Sequence, residues 1–215
     1  MNTLFFPNGL SGIIYDCDGV MLNSRAANTL FYNRVLAHVG LPPMNRAQEE
    51  YTYMATGMQS LEHILPKSLH PKIGEIVQKH VHYSDVFPHL TLMPGFLDFV
   101  LRVEALGLKQ AMCTNRTDAG FAEVMRFFSF PPVFDPIMTT SRAKPKPDPD
   151  GVMQIVRAWG LCPTSLLFIG DSLCDREAAE GAGVRFAAYN ALGVTSDIEA
   201  TSWSRMAELI FGPLS

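Results

Sequence analysis

The chain has little of what would tie it to a membrane, a nucleic acid or an oxidising compartment. No apolar stretch approaches the length of a bilayer span. The opening MNTLFFPNGLSG has neither the basic flank nor the long apolar segment of a secretory leader. No run of basic residues is longer than two and the formal net charge is −4, which argues against a surface for nucleic acid or anionic lipid. Cysteine is scarce: the four residues, Cys17, Cys113, Cys162 and Cys174, show no C-x-x-C pair and no disulfide-framework spacing. A reducing cytoplasm is the expected compartment. Repeats and low-complexity tracts are absent. What remains is an ordinary globular composition, 215 residues with 47% hydrophobic, enough for one domain or for a core with a small insertion.

Strand and helix patterns divide the chain unevenly. Residues 10–15 (LSGIIY) read as a short buried strand. From Asn23 to His89 the pattern is helical throughout, in ANTLFYNRVLAHVG, NRAQEEYTYMA, SLEHIL and KIGEIVQKHVHYSDVF. Gly40 is a plausible stop for the first of these. All six histidines fall in this segment and no cysteine does. After Pro94-Gly95 strands and helices alternate: LKQAMC, PIMTT, SLLFIG and VRFAAYN as strands, with helices between them and SWSRMAELI last. Asp148 is expected to cap the helix that starts at Pro149. This alternation predicts an α/β fold, a mostly parallel sheet with helices on both faces. The core takes residues 1–22 and 93–215, and an inserted all-helical cap takes 23–92.

In such sheets ligands bind beyond the carboxyl ends of the strands. Four strand ends carry polar groups: Asp16-Cys17-Asp18-Gly19, Thr114-Asn115, Ser141 to Pro145 with Lys144, and Gly170-Asp171-Ser172 with Asp175 beyond. Singly, each has a bland reading, such as a turn, a helix cap or a solvated lysine. The Asp16 loop is not an EF-hand, since Val20, Met21 and Ala27 stand where that pattern needs an acid or amide, a glycine and a glutamate. Jointly, the groups suit phosphoryl transfer. Clustered carboxylates call for a hard cation such as Mg²⁺, which takes carboxylates together with substrate phosphate. Thr114, Asn115 and Lys144 would supply donors and positive charge to the phosphate. Asp16 would attack phosphorus as the nucleophile, and Asp18 would serve as acid and then base.

These four stretches resemble the motifs of the haloacid dehalogenase-like hydrolase superfamily, on its phosphatase side. DCDGV matches D-x-D-G-[TV], Thr114 in CTN matches the second-strand Ser/Thr, Lys144 in KPKPDP matches the lysine before K-P-x-P, and GDSLCD matches G-D-S-x-x-D. The resemblance implies a three-layer Rossmann-like core with the helical cap inserted after its first strand. It implies a metal held by Asp16, the Asp18 backbone carbonyl and Asp171, supported by Asp175, with Lys144 paired to Asp16 and phosphate. It implies Mg²⁺-dependent hydrolysis of a small phosphorylated metabolite, with a cap that closes over it.

One departure is Asn23-Ser24, where the family often writes Asp-Ser. The presence of Asp18 argues against dehalogenation, whose enzymes lack this second acid. A phosphosugar mutase resembling β-phosphoglucomutase is an alternative, although the matching loop TGMQS carries Gln59 and no arginine. A phosphonate hydrolase needs a cap lysine, and Lys67, Lys72 and Lys79 are available. Substrate specificity is expected from Arg116 and from Arg25, Arg46 and Gln59 in the cap. The histidines are read as partly exposed polar residues rather than metal ligands. Cys17, Cys113 and Cys174 adjoin motif residues, so thiol oxidation is a possible route to inactivation, set against the simpler reading of small buried side chains.

Overall fold

The computed structural model describes residues 5–7, 9–191 and 193–212. The first residues of the stretch read above as a poor leader lie outside them. In chain order the strands are β1 (Gly12–Tyr15), β2 (Leu22–Asn23), β3 (Thr91–Leu92), β4 (Lys109–Cys113), β5 (Ile137–Met138), β6 (Leu166–Gly170), β7 (Arg185–Tyr189) and β8 (Glu199–Ala200). Six of them form one parallel sheet in the order β5-β4-β1-β6-β7-β8. The strand order reverses beside β1, which pairs with β4 on one side and β6 on the other. A crevice at that switch point lies past the ends of all three strands.

Alternation along each strand sends side chains to two separate apolar layers. Ile13 and Tyr15 of β1 join Met112, Leu167 and Ile169 in one cluster. That layer is covered by α5 (Phe96–Ala105) and α9 (Trp203–Phe211), through Phe96, Phe99, Val100, Trp203 and Ile210. Ile14 faces the other way, into a cluster with Ala111 and Phe168. There the cover is α7 (Asp150–Trp159) and α8 (Leu173–Gly181), through Val152, Ile155 and Ala178. Each large side chain fully buried in these layers stabilises the fold by about 1.5–3 kcal/mol. The α/β, three-layer expectation holds.

Between β2 and β3 the chain is helical: α1 (Arg25–His38), α2 (Arg46–Met54), α3 (Gly57–Ile64), a 3-10 turn at Lys67–Lys72, α4 (Ile73–Lys79) and a second 3-10 turn at Tyr83–His89. The chain enters and leaves this segment through one antiparallel ribbon, with Leu22 opposite Leu92 and Asn23 opposite Thr91. Asn45 and Thr56 start α2 and α3 with reciprocal capping boxes to Gln48 and Gln59. Gly40 takes a left-handed φ of +73° just after α1, as its place at a helix end requires.

Some boundaries shift from expectation. The run expected as one helix from Lys72 to Phe87 breaks after Lys79, so His80 and His82 lie outside α4. The regular part of α7 starts one residue later than expected, at Asp150, while the Asp148 carboxylate accepts from the Asp150 N–H at 3.0 Å, the bond expected of a cap for a helix entered at Pro149. Strand PIMTT shrinks to two residues, since Thr139 and Thr140 turn into side-chain hydrogen bonds with Asp118 and the Arg116 carbonyl.

Candidate active site

Asp16 follows β1, its backbone N–H donating to the Ile169 carbonyl of β6 at 3.0 Å. Its carboxylate is buried and meets the Lys146 ammonium at 2.5 Å. Lys146 Nζ also donates to Asp175 Oδ1 at 2.5 Å, so one lysine ties the ends of β1 and α8 together. Burial raises the Asp16 carboxyl well above the usual carboxylate range; Lys146 opposes the rise, and the like charges of Asp175, Asp171 and Asp18 add to it. Burial works against the Lys146 ammonium, but Asp16 and Asp175 outweigh it and hold the lysine firmly protonated.

The lysine is therefore Lys146, not Lys144. Lys144 is solvent-exposed and pairs with Asp148 at 3.5 Å. KPKPDP contains two lysines, each followed by proline and with a second proline three residues on, so the pattern fits either. Asn115 decides between them. Its Oδ1 accepts from the Lys146 N–H at 2.8 Å and its Nδ2 donates to the Lys146 carbonyl at 3.1 Å. This clamp hands the second lysine to the site. It also engages the Asn115 side chain with Lys146 rather than leaving it free for phosphate. Thr114 is buried at the end of β4, where its hydroxyl oxygen accepts from the Arg116 N–H at 3.2 Å.

Asp171 and Asp175 follow β6. Asp175 is buried and completes a capping box at the start of α8, its Oδ2 accepting from the Ser172 N–H at 3.1 Å and the Ser172 hydroxyl at 2.6 Å. Its other oxygen is left for Lys146. Asp171 is pushed up to about 7 by burial and then by the charge of Asp175, against the hydrogen bond from Tyr53 and the charge of Lys146. Gly19 sits at φ +83°, and a Cβ there would collide with the Asp171 carboxylate and the Tyr53 hydroxyl. Only glycine fits both the left-handed turn and this close approach.

Oxygen atoms of Asp16, Asp171 and Asp175 lie within 4.8 Å of one another. Three carboxylates face the single Lys146 ammonium, so negative charge is left over. An all-oxygen, net-anionic cluster of this kind fits Mg²⁺ rather than a thiolate- or imidazole-seeking metal. The Asp18 carboxylate is outside this group. Arg116 grips it in a fork, Nε to Oδ2 and Nη2 to Oδ1, both at 2.7 Å. Burial favours the neutral Asp18 acid, but the charge and hydrogen bonds of Arg116 prevail and lower its pKa.

Two tyrosines of the helical segment reach this floor, and the sequence pattern had not singled out either. Tyr53 donates to Asp171 Oδ2 at 2.7 Å. The Tyr83 hydroxyl accepts from Arg116 Nη2 at 2.8 Å and donates to Asn28 Oδ1 at 2.6 Å. Of the other expected specificity residues, Arg25 lies 4.1 Å from the centre of the Tyr53 ring. Arg46 is exposed and paired with Glu50, and the Gln59 side chain is engaged in its capping box. None of Arg25, Arg46 and Gln59 lines the cavity above Asp16, whereas Arg116 does. Burial pushes the Cys17 thiol well up and the Cys113 thiol up to about 12, which disfavours the reactive thiolate at both.

The family model for haloacid dehalogenase-like hydrolases matches residues 13–189, from β1 to the end of β7. The chain belongs to that family. Among curated relatives, a phosphoglycolate phosphatase of Cereibacter sphaeroides is 26% identical over 84% of this chain and 85% of its own length. Phosphoglycolate phosphatase 1 of Pseudomonas aeruginosa is 27% identical over 86% of this chain and 71% of its own. Among solved structures, a subfamily IA hydrolase of the superfamily from Geobacter sulfurreducens is 30% identical, with a TM-score of 0.75 over 94% of this chain and 98% of that one. Among the described residues, no helix is long and apolar enough to cross a membrane.

Proposed function

We propose that this phosphatase hydrolyses a small phosphate monoester through an aspartyl-phosphate on Asp16, with Mg²⁺ as its ion. The observation that carries the reading is the placement of Asp16, Asp18, Arg116, Lys146, Asp171 and Asp175 around one cavity. An Asp16 carboxylate oxygen attacks phosphorus while the ester P–O bond breaks; Asp18, which Arg116 holds ionised in this arrangement, must leave that fork and take up a proton before it can give one to the departing alkoxide. Asp18 then takes a proton from water as the water oxygen attacks phosphorus, which frees Asp16 and inorganic phosphate. Lys146 holds Asp16 in place and offsets its charge. Asp16 and Asp171, with Asp175 beside them, would hold the Mg²⁺, which supplies positive charge to the phosphoryl oxygens.

The helical segment forms the cavity's other wall. No lysine of that segment lines the cavity, which favours an ester over a phosphonate substrate; Lys79 instead pairs with Glu75. The test is hydrolysis of an aryl phosphate with Mg²⁺ and with chelator, in the wild type and Asp16→Asn. Turnover that needs Mg²⁺ and disappears in the variant supports the mechanism. Turnover that survives in Asp16→Asn removes it.

A further inference from the structure

The cavity over Asp16 has a volume of about 800 Å³. That lies in the upper part of the ~300–1,000 Å³ range filled by drug-sized ligands. Away from the acidic floor its wall is built by Phe31, Tyr32, Met54, Met58, Leu61 and Val77. Met54 and Met58 are 46% and 53% exposed, a large apolar surface left facing the opening. The remaining helical-segment groups in the wall are neutral, such as Asn28 and Gln78, apart from one histidine, His82.

Cations are short here. Among the described lining residues only Arg116 and Lys146 carry a permanent positive charge. Lys146 bridges Asp16 and Asp175, and Arg116 is forked onto Asp18 and bound to Tyr83. Both charges are therefore already paired with carboxylates of the protein. Glu123 also lines the wall and would repel one.

We infer that the alcohol released from the phosphate is bulky, apolar and uncharged, which deepens the phosphatase reading and rests on it. A two-carbon carboxylic acid such as glycolate would leave the apolar wall uncovered and bring a carboxylate to a cavity whose permanent cations, among the described residues, are already paired. An aryl-alkyl alcohol would lie against the methionine and aromatic wall instead.

The experiment compares benzyl phosphate with 2-phosphoglycolate as substrates, and benzylphosphonate with phosphonoacetate as ligands titrated calorimetrically into the wild-type enzyme with Mg²⁺. The benzyl compound is expected to lead by about tenfold or more in kcat/KM and in affinity. Met58→Arg or Met54→Arg, both at exposed helix positions, should narrow that ratio by supplying a free cation. Equal or tighter binding of phosphonoacetate, or a ratio unmoved by both variants, overturns the inference. Phosphoglycolate turnover that leads that of benzyl phosphate and is lost in His82→Ala also overturns it. If benzylphosphonate binds more tightly while no ester is hydrolysed, the wall's preference for an apolar group stands and the hydrolysis reading falls.

Discussion

The hydroxyl of Tyr53 donates to Asp171 Oδ2 at 2.7 Å, joining α2 to a carboxylate of the acidic cluster 118 residues away. Asp171 is also one of the carboxylates that would hold a cation, so the tyrosine and the ion draw on the same group. Tyr53→Phe removes one hydrogen bond of about 0.5–1.5 kcal/mol. Mg²⁺ should therefore bind about 2- to 13-fold more tightly to the variant. Calorimetric titration of Mg²⁺ into the chelator-treated proteins measures this, and weaker binding would show that the hydroxyl supports the cation site instead.

Asp171 gives the metal-free protein a specific pH dependence. Its carboxyl is raised to about 7 in the fold, against about 3.9 in an unfolded chain. The folded state then holds a proton that the unfolded state has already released. Stability is full below about pH 4 for this group and is lost as pH rises towards 7. In chelator, Tm should fall across that window, and Asp171→Asn should flatten the fall. Mg²⁺ binding near pH 7 should release protons, visible as a dependence of the calorimetric heat on buffer ionisation enthalpy.

The two lysines of KPKPDP separate cleanly by mutation. Lys146→Met leaves Asp16 and Asp175 buried without their shared partner. Removing one side of such a pair costs about 3–5 kcal/mol. Turnover should be lost, and urea denaturation should report a large drop in stability. Lys144→Met affects only an exposed ion pair with Asp148. Its activity and midpoint should match the wild type.

Arg116→Lys tests the fork on Asp18. The two partners' side chains are 11% and 23% exposed, so the pair is shielded but not fully buried. A lysine keeps the charge but cannot reproduce the planar two-point grip or the added bond to Tyr83. About 1–3 kcal/mol of stability should go, by comparison with the ~3–5 kcal/mol of a fully buried pair. A variant as stable as the wild type in denaturant titration would show that charge alone holds Asp18.

Much of the sheet was legible because its strands are short apolar runs that end in polar groups. Ile13, Ile14 and Tyr15 are fully buried and Asp16 follows them directly, so the strand and the carboxylate at its end are read together. The two-residue strands β2, β3 and β8 give no such signal, since two residues carry no period. Lys146 was obscured by an equivalent pattern two residues earlier, and only the Asn115 clamp separates the two. Tyr53 and Tyr83 lie in segments read as ordinary helical faces. Their role comes from how the helices sit over the strand ends, which local sequence does not state.

The ribbon of β2 and β3 has one further consequence. The chain crosses from the sheet into the helical segment at Leu22–Asn23 and returns at Thr91–Leu92, side by side. Asp16, Thr114, Lys146 and Asp171 all lie outside those crossings, and the methionine-lined wall lies between them. The seam between the two parts is made by the ribbon, the Tyr53 and Tyr83 hydroxyls, the Phe87–Phe127 ring contact and an apolar cluster shared by both sides, and it is there that a changed wall would have to be reconciled with unchanged strand ends.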